Sequence, residues 1–274
     1  MDRLSAPMPS PDRDWPSQLF VDNPDLFLPF LEARVEAVKD HVVHLAEILR
    51  EMGVPEGGSV LDLACGIGRF SVPLAQLGYR VVGLDLSPAY VAQAKAYAKR
   101  MGVTDETRFQ AGDMRDLAGH LGEKAPFDAI VSLFTSFSYY GDRADRDVLS
   151  QLGALAGPHG VLVLETVNRD WVLRNFVKSA WRFEGDMLLL EAREYDSVRS
   201  HIVNRWTFYR REGEVLRPGG EFVVDHRIYG PVDIAEMLRA SGWRIEAMHG
   251  NFLREPIDLQ APGRGRLVVV ARKR

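Results

Sequence analysis

Between residues 59 and 167 short apolar runs alternate with segments of helical period, and this alternation constrains the fold more than any other feature of the chain. The runs are SVLDLA, YRVVGLDL, TRFQAGD, FDAIVSL and GVLVLETV, and helical stretches lie at Phe70 to Leu77, Ala89 to Met101 and Asp145 to Leu155. Strand, helix and strand in succession close as right-handed crossovers, so the pattern predicts a parallel sheet covered by helices. Upstream, Leu31, Val35, Val38, Val42, Leu45, Ile48 and Leu49 recur at threes and fours, predicting one amphipathic helix from Asp25 to Met52 that ends at Gly53.

After Asn168 the texture changes. MLLLEAREYD, HIVNRWTFYR and EFVVDHRIY alternate as half-buried strands do, with a turn-like REGEVLRPGG between the last two, so an antiparallel β insert is expected over 168–230. A helix at Val232 to Ala240, then GWRIEAMHGNF and RLVVVARKR, returns the chain to the main sheet in a hairpin-like ending. The first residues, MDRLSAPMPSPDRDWP, carry acid and proline without a signal-peptide core. Residues 1–18 therefore read as a flexible lead-in, with poor order before about Trp15, to one domain over 19–274.

With 274 residues, 46% of them hydrophobic, the chain can build one large α/β domain with an embellishment. Lys and Arg number 34 against 38 Asp and Glu, a net charge of −4 that offers no general attraction for nucleic acid or an anionic membrane. Cys65 is the sole cysteine and no apolar run approaches the roughly 18 residues needed to span a bilayer, which fits a reducing cytoplasm. No His, Cys and carboxylate cluster has metal-ligand spacing, so no metal is expected.

The chemistry concentrates in VLDLACGIGRF, Val60 to Phe70. Gly66 and Gly68 permit a tight turn and close approach of a ligand to bare backbone, and the helix that follows aims its amides at it, which implies a nucleotide-like ligand. Ser71 replaces the third glycine of a dinucleotide-binding GxGxxG. Asp62 would repel a pyrophosphate but suits a ligand bearing an ammonium and a sulfonium; its alternative use is to cap the loop amides. Asp85 ends the second strand where a carboxylate can accept both ribose hydroxyls, and Ser87 is left to cap the next helix. Asp113 follows the third strand, placed to accept from an adenine amino group or to cap a short helix, with Met114 packing on the ring face.

VLDLACGIGRF, GLDLS and AGDM, in this order and at these separations, resemble the successive motifs of class I S-adenosylmethionine-dependent methyltransferases over Val60 to about Val167 and the terminal strands. FDAIVSLFTSFSYY and LAGPHGVLVLET look like that family's fourth strand with its loop and its fifth strand. The resemblance implies a Rossmann-like doubly wound seven-stranded sheet with the last strand antiparallel. It also implies S-adenosylmethionine as cofactor and S-adenosylhomocysteine as product. Asp62, Ala64, Gly66 and Gly68 would surround the methionine portion, Asp85 the ribose, and Asp113 with Met114 the adenine, with Cys65, Leu86, Gly112, Leu133 and Phe134 completing the cofactor site. The insert looks like the roof over the acceptor pocket of small-molecule methyltransferases. Gly157 to Gly160, Gly-Pro-His-Gly, departs from the family's usual turn before the fifth strand.

An acceptor must meet the methyl group above the ends of strands four and five, which nominates Phe134, Ser136, Tyr139, Tyr140, Asn168 and Arg169. His226 falls on the apolar face of EFVVDHRIY with Phe222, Val224 and Ile228, where it is either a general base or a histidine satisfied inside the sheet. Catalytic residues are not identified; His226 and Tyr140 are the candidates. Ile202, Trp206 and Phe208 share a face that either stacks an aromatic acceptor or packs on the main domain, and Cys65 is either a reactive thiol near a helix amino terminus or a small side chain packed in its loop, the reading preferred. A small-molecule acceptor on a monomer or homodimer is expected. A methyltransferase of RNA or protein, a non-catalytic S-adenosylmethionine sensor and an NAD oxidoreductase are the alternatives.

Overall fold

The computed structural model describes residues 14–261 and 265–274. Two helices, α1 (Pro24–Glu32) and α2 (Lys39–Glu51), precede the sheet. The alternating core runs β1 (Ser59–Leu63), α3 (Ser71–Gln76), β2 (Arg80–Asp85), α4 (Pro88–Met101), β3 (Thr107–Ala111), α5 (Leu117–Leu121), β4 (Phe127–Ser132), α6 (Asp142–Leu155) and β5 (Ala156–Val167). A short α7 (Arg169–Arg174) leads to β6 (Ser179–Glu184), β7 (Met187–Asp196), β8 (His201–Glu212) and β9 (Val215–Arg227). The chain closes with α8 (Pro231–Ala240), β10 (Trp243–His249) and β11 (Arg266–Lys273).

Seven strands form the main sheet in the order β10-β11-β5-β4-β1-β2-β3, and β11 runs antiparallel to both neighbours, as the resemblance implies. The strands from β5 to β3 in this order pair in parallel. Because successive side chains of a strand leave by opposite faces, Val60, Val131 and Val163 pack under α2, α3 and α4, while Leu61, Ile130 and Leu162 pack under α5, α6 and α8. Local chemistry sets the helix ends. Ser87 Oγ accepts the Tyr90 N–H (3.3 Å), Pro88 opens α4, and Gly102 at φ +73° ends it.

β6 to β9 make a separate antiparallel sheet in chain order. Its inner face places Met187, Leu189, Phe208 and Phe222 against Leu26 and Phe30 of α1.

Three expectations need correction. The helix predicted from Asp25 to Met52 is two helices, broken by turns over 33–38 where Arg34 and Val35 N–H groups bond three residues back. Leu26 and Phe30 belong to the insert's core and Val42, Leu45 and Leu49 to the main sheet's, so one straight rod would leave one stripe exposed. Second, the turn in REGEVLRPGG is confined to Gly213 and Glu214, and RPGG continues β9. Pro218 is tolerated because β9 is an edge strand, and Gly219 is the extra residue where the register shifts opposite Phe208 and Tyr209. Third, β6 was not foreseen; its short SAWRFE run carries exposed Trp181 beside polar residues. Of the lead-in expected over 1–18, residues 1–13 lie outside the described residues. Residues 14–18 are packed: the Trp15 indole donates to the Asp225 carbonyl (2.9 Å) and its ring meets Tyr139 edge-on at 4.6 Å.

Candidate active site

After β1 the chain turns through Ala64, Gly66 and Gly68, all at positive φ (58°, 56° and 81°). The turn lays the Gly66 N–H on the Asp85 carboxylate (2.7 Å) and brings Gly68 so near α4 that a Cβ there would stand 3.2 Å from that of Ala94. Asp85 also accepts the Ser87 N–H (2.9 Å). Burial raises its pKa to about 6 against these two amides. Each oxygen of Asp85 thus holds one amide and keeps further accepting capacity, which suits vicinal hydroxyls.

Asp62 is 3% exposed and accepts the Ser71 hydroxyl at 2.5 Å. The serine that replaces the third glycine is therefore the partner of the strand's acid, and Asp62 does not itself line the cavity. Desolvation raises its pKa to about 7, opposed by Ser71 and Arg69. Between its unfolded value of 3.8 and about 7 the folded state holds the extra proton, so this group's contribution to stability falls as pH rises through that window. We expect the ligand-free wild type to lose melting temperature from pH 5 to pH 8 more steeply than Asp62→Asn. Equal slopes in differential scanning calorimetry would contradict that assignment.

A cavity of about 640 Å³ opens at the carboxyl ends of β1, β2, β4 and β5, where the strand order reverses between β1 and β4. Ala64, Gly66, Asp85, Leu86, Gly112, Met114 and Phe134 line it, while Asp62, Cys65, Gly68, Asp113 and Leu133 lie behind its wall. The Asp113 carboxylate, expected either on adenine or as the cap of a short helix, is held by the Arg115 guanidinium (2.5–3.0 Å) and caps the following turn. Cys65 is buried and its thiol is pushed up by desolvation, consistent with packing. Of the residues expected around an acceptor, Phe134, Ser136, Tyr139 and Tyr140 line the cavity, whereas Asn168 and Arg169 do not. Asn168 caps α7 through the Asp170 N–H (3.0 Å), and Arg169 is drawn away by Asp170 and by Asp233 of α8.

Insert residues also line the cavity, among them Asn204, Trp206, Val224 and His226. Trp206 stacks on Phe27 of α1 (5.3 Å, 12°), Phe208 is buried against Phe30, and His226 faces Tyr139 at 6.5 Å. His226 Nδ1 has no hydrogen-bond partner among the described residues, so the sheet does not satisfy it, and burial lowers its pKa to about 4. Burial pushes the Tyr140 phenol upward, leaving it a proton donor at neutral pH.

Sequence reasoning missed several wall residues. Glu165, 4% exposed, accepts the Phe134 N–H (2.9 Å) and Arg266 Nε (2.7 Å), while Arg266 also reaches Thr135 (2.8 Å). These contacts hold Phe134 and Thr135 at φ +60° and +63°. The guanidinium groups of Arg69, Arg34 and Arg266 surround the Phe134 ring at 4.2, 5.6 and 5.7 Å. A charge inside the apolar run GVLVLETV was the signal for Glu165.

A family model described as a methyltransferase domain matches residues 60–160. The putative methyltransferase YqeM of Bacillus subtilis (strain 168) is 24% identical over 204 residues, 74% of this chain and 80% of its own. Other curated relatives are matched over about half of their own length or less. Among solved structures, an S-adenosylmethionine-dependent methyltransferase from Clostridium acetobutylicum ATCC 824 has a TM-score of 0.74 at 16% identity, covering 92% of this chain and 98% of that one. The sugar N-methyltransferase KedS8 from Streptoalloteichus sp ATCC 53650 has 0.64 at 21%, covering 98% and 99%. Sheet order, glycine turn and matching domain agree: residues 60–160 carry a methyltransferase domain, set in the fold of S-adenosylmethionine-dependent methyltransferases.

Proposed function

We propose that the protein methylates a small molecule held between the carboxyl ends of β4 and β5 and the inner face of the insert. One observation carries the reading: a single cavity is lined by Gly66 and Asp85 on the cofactor side and by Asn204, Val224 and His226 of the insert on the other. Its volume is in the range of small-molecule sites. The sugar N-methyltransferase KedS8, similar over nearly the whole chain, supports this reading.

The residues present fit the cofactor. Asp85 retains accepting capacity for ribose hydroxyls, Met114 and Leu86 offer an apolar wall to adenine, and buried Arg69 has Nη1 without a partner, suited to a methionyl carboxylate. When bound, S-adenosylmethionine supplies a methyl carbon that accepts the acceptor's lone pair while the old bond's electrons return to sulfur. The chain's own part is positioning and exclusion of water. Trp15, Phe20 and Tyr139 close the front of the cavity, and the Phe134 loop fixes its floor. His226, neutral at neutral pH and with Nδ1 unpartnered among the described residues, is our candidate to receive the acceptor's proton. Among the described residues no helix is long and apolar enough to cross a membrane, and we place the reaction in the cytoplasm.

The test is methyl transfer from labelled S-adenosylmethionine into small-molecule and RNA fractions of a cell extract. Label is expected in the small-molecule fraction. Label in RNA, lost steeply with added salt, would favour the RNA reading, to which a tRNA methyltransferase of Escherichia coli, 33% identical over 47% of this chain, lends a precedent.

A further inference from the structure

Charge in the cavity is unbalanced. Arg34, Arg69, Arg182, Arg193 and Arg266 line it, against the carboxylates of Asp85, Glu165 and Glu191. Glu165 is taken by Arg266 and Glu191 by Arg193, and Asp85 holds the Gly66 and Ser87 amides. Among the described residues Arg34, Arg69 and Arg182 have no ion-pair partner. Burial and then the neighbouring charge of Arg182 depress the Arg34 guanidinium, with Glu184 and Glu191 opposing, and both arginines line the cavity. The cofactor does not cancel this excess, because its methionyl end carries an ammonium and a sulfonium beside one carboxylate. If that carboxylate lies on Arg69, next to the glycine turn, Arg34 and Arg182 still face the remaining space.

Arg182 stands on the inner face of the insert sheet. It pairs in register with Leu189, and Leu189 with Phe208, so Trp206 and Asn204 follow on the same face. The Phe30 ring supports its guanidinium at 5.1 Å. Four buried atoms on this face have no partner among the described residues: Arg182 Nε, Trp206 Nε1, Asn204 Oδ1 and the His226 Nδ1 described above, the asparagine being 5% exposed. Buried polar groups are nearly always satisfied, so their concentration on one wall of one cavity points to a ligand that satisfies them.

We propose that the methyl acceptor is an anionic small molecule whose carboxylate or phosphate is received by Arg182 and Arg34, while Asn204 and Trp206 bond its neutral polar groups. This rests on the cavity being the acceptor site of a methyltransferase.

The test titrates three probes on a pyranose frame, glucose, glucuronate and glucose 6-phosphate, into the full protein saturated with S-adenosylhomocysteine at fixed ionic strength. At least one anion is expected to bind about tenfold tighter than glucose, and which one does so assigns carboxylate or phosphate. Arg182→Gln is expected to remove that preference and Arg182→Lys to keep most of it, with S-adenosylhomocysteine affinity within about twofold of wild type in both. Glucose binding as tightly as both anions, neither anion binding, or equal loss in both variants would overturn the inference while leaving the methyltransferase reading intact. Failure of S-adenosylhomocysteine to bind wild type would overturn that reading and this inference with it.

Discussion

Asp85→Ala lowers affinity for S-adenosylhomocysteine by about a hundredfold or more in calorimetric titration. The figure follows from two hydroxyls bonded to one carboxylate, each such bond contributing about 1.5–3 kcal/mol, with about 1.4 kcal/mol per tenfold in affinity. The effect has a second source. Without the carboxylate the Gly66 and Ser87 amides lose their acceptor, and the glycine turn loses its tie to β2. Asp85→Asn separates the two, since an amide oxygen still accepts one N–H but no longer carries charge; we expect it to fall between wild type and alanine. Affinity in the wild type also rises as pH increases through about 6, where Asp85 ionises, and Asp85→Asn lacks that rise. Binding of S-adenosylhomocysteine by Asp85→Ala at wild-type strength would remove Asp85 from the cofactor site.

What was legible in the sequence was local in the chain. Val60 to Leu63 reads as a fully buried strand because its neighbours on both sides are strands and both faces are covered. Gly66, Gly68, Asp85 and Ser87 fall in strand-to-helix turns whose geometry a few consecutive residues determine. Contacts between distant segments were not legible. Arg169 looked like an acceptor residue until Asp233, 64 positions away, drew it aside. Asp113, read as an adenine acceptor or a helix cap, is the cap, and local order alone did not show which, because Arg115 two residues on folds back over its carboxylate. The break between α1 and α2 needed knowledge of two cores, since periodicity reports that a face is apolar and not which surface receives it. Likewise the arginines without an ion-pair partner among the described residues come from the turns after α1, the glycine turn and β6, three segments that only the fold brings to one cavity.

Glu165→Ala illustrates how much rests on one such distant pair. Glu165 and Arg266 lie 101 positions apart on adjacent strands β5 and β11. The carboxylate joins the Arg266 guanidinium to the Phe134 amide, and Arg266 in turn grips Thr135, so one ion pair holds both left-handed residues of the loop after β4. Removing the acid strands a guanidinium that is only 28% exposed and frees a strained loop to relax. We expect a loss of about 3 kcal/mol, the low end for breaking a buried pair because Arg266 keeps some contact with water. For a chain of this size that corresponds to a fall of roughly 6–12 °C in melting temperature. Replacing both partners, Glu165→Leu with Arg266→Leu, removes the stranded charge and should restore most of that stability. It should not restore methyl transfer, because no carboxylate then receives the Phe134 N–H and the loop bearing Ser136, Tyr139 and Tyr140 is no longer fixed. A double variant that recovers stability and full turnover together would show that the pair serves folding alone, and that the loop's left-handed backbone is maintained by its other contacts.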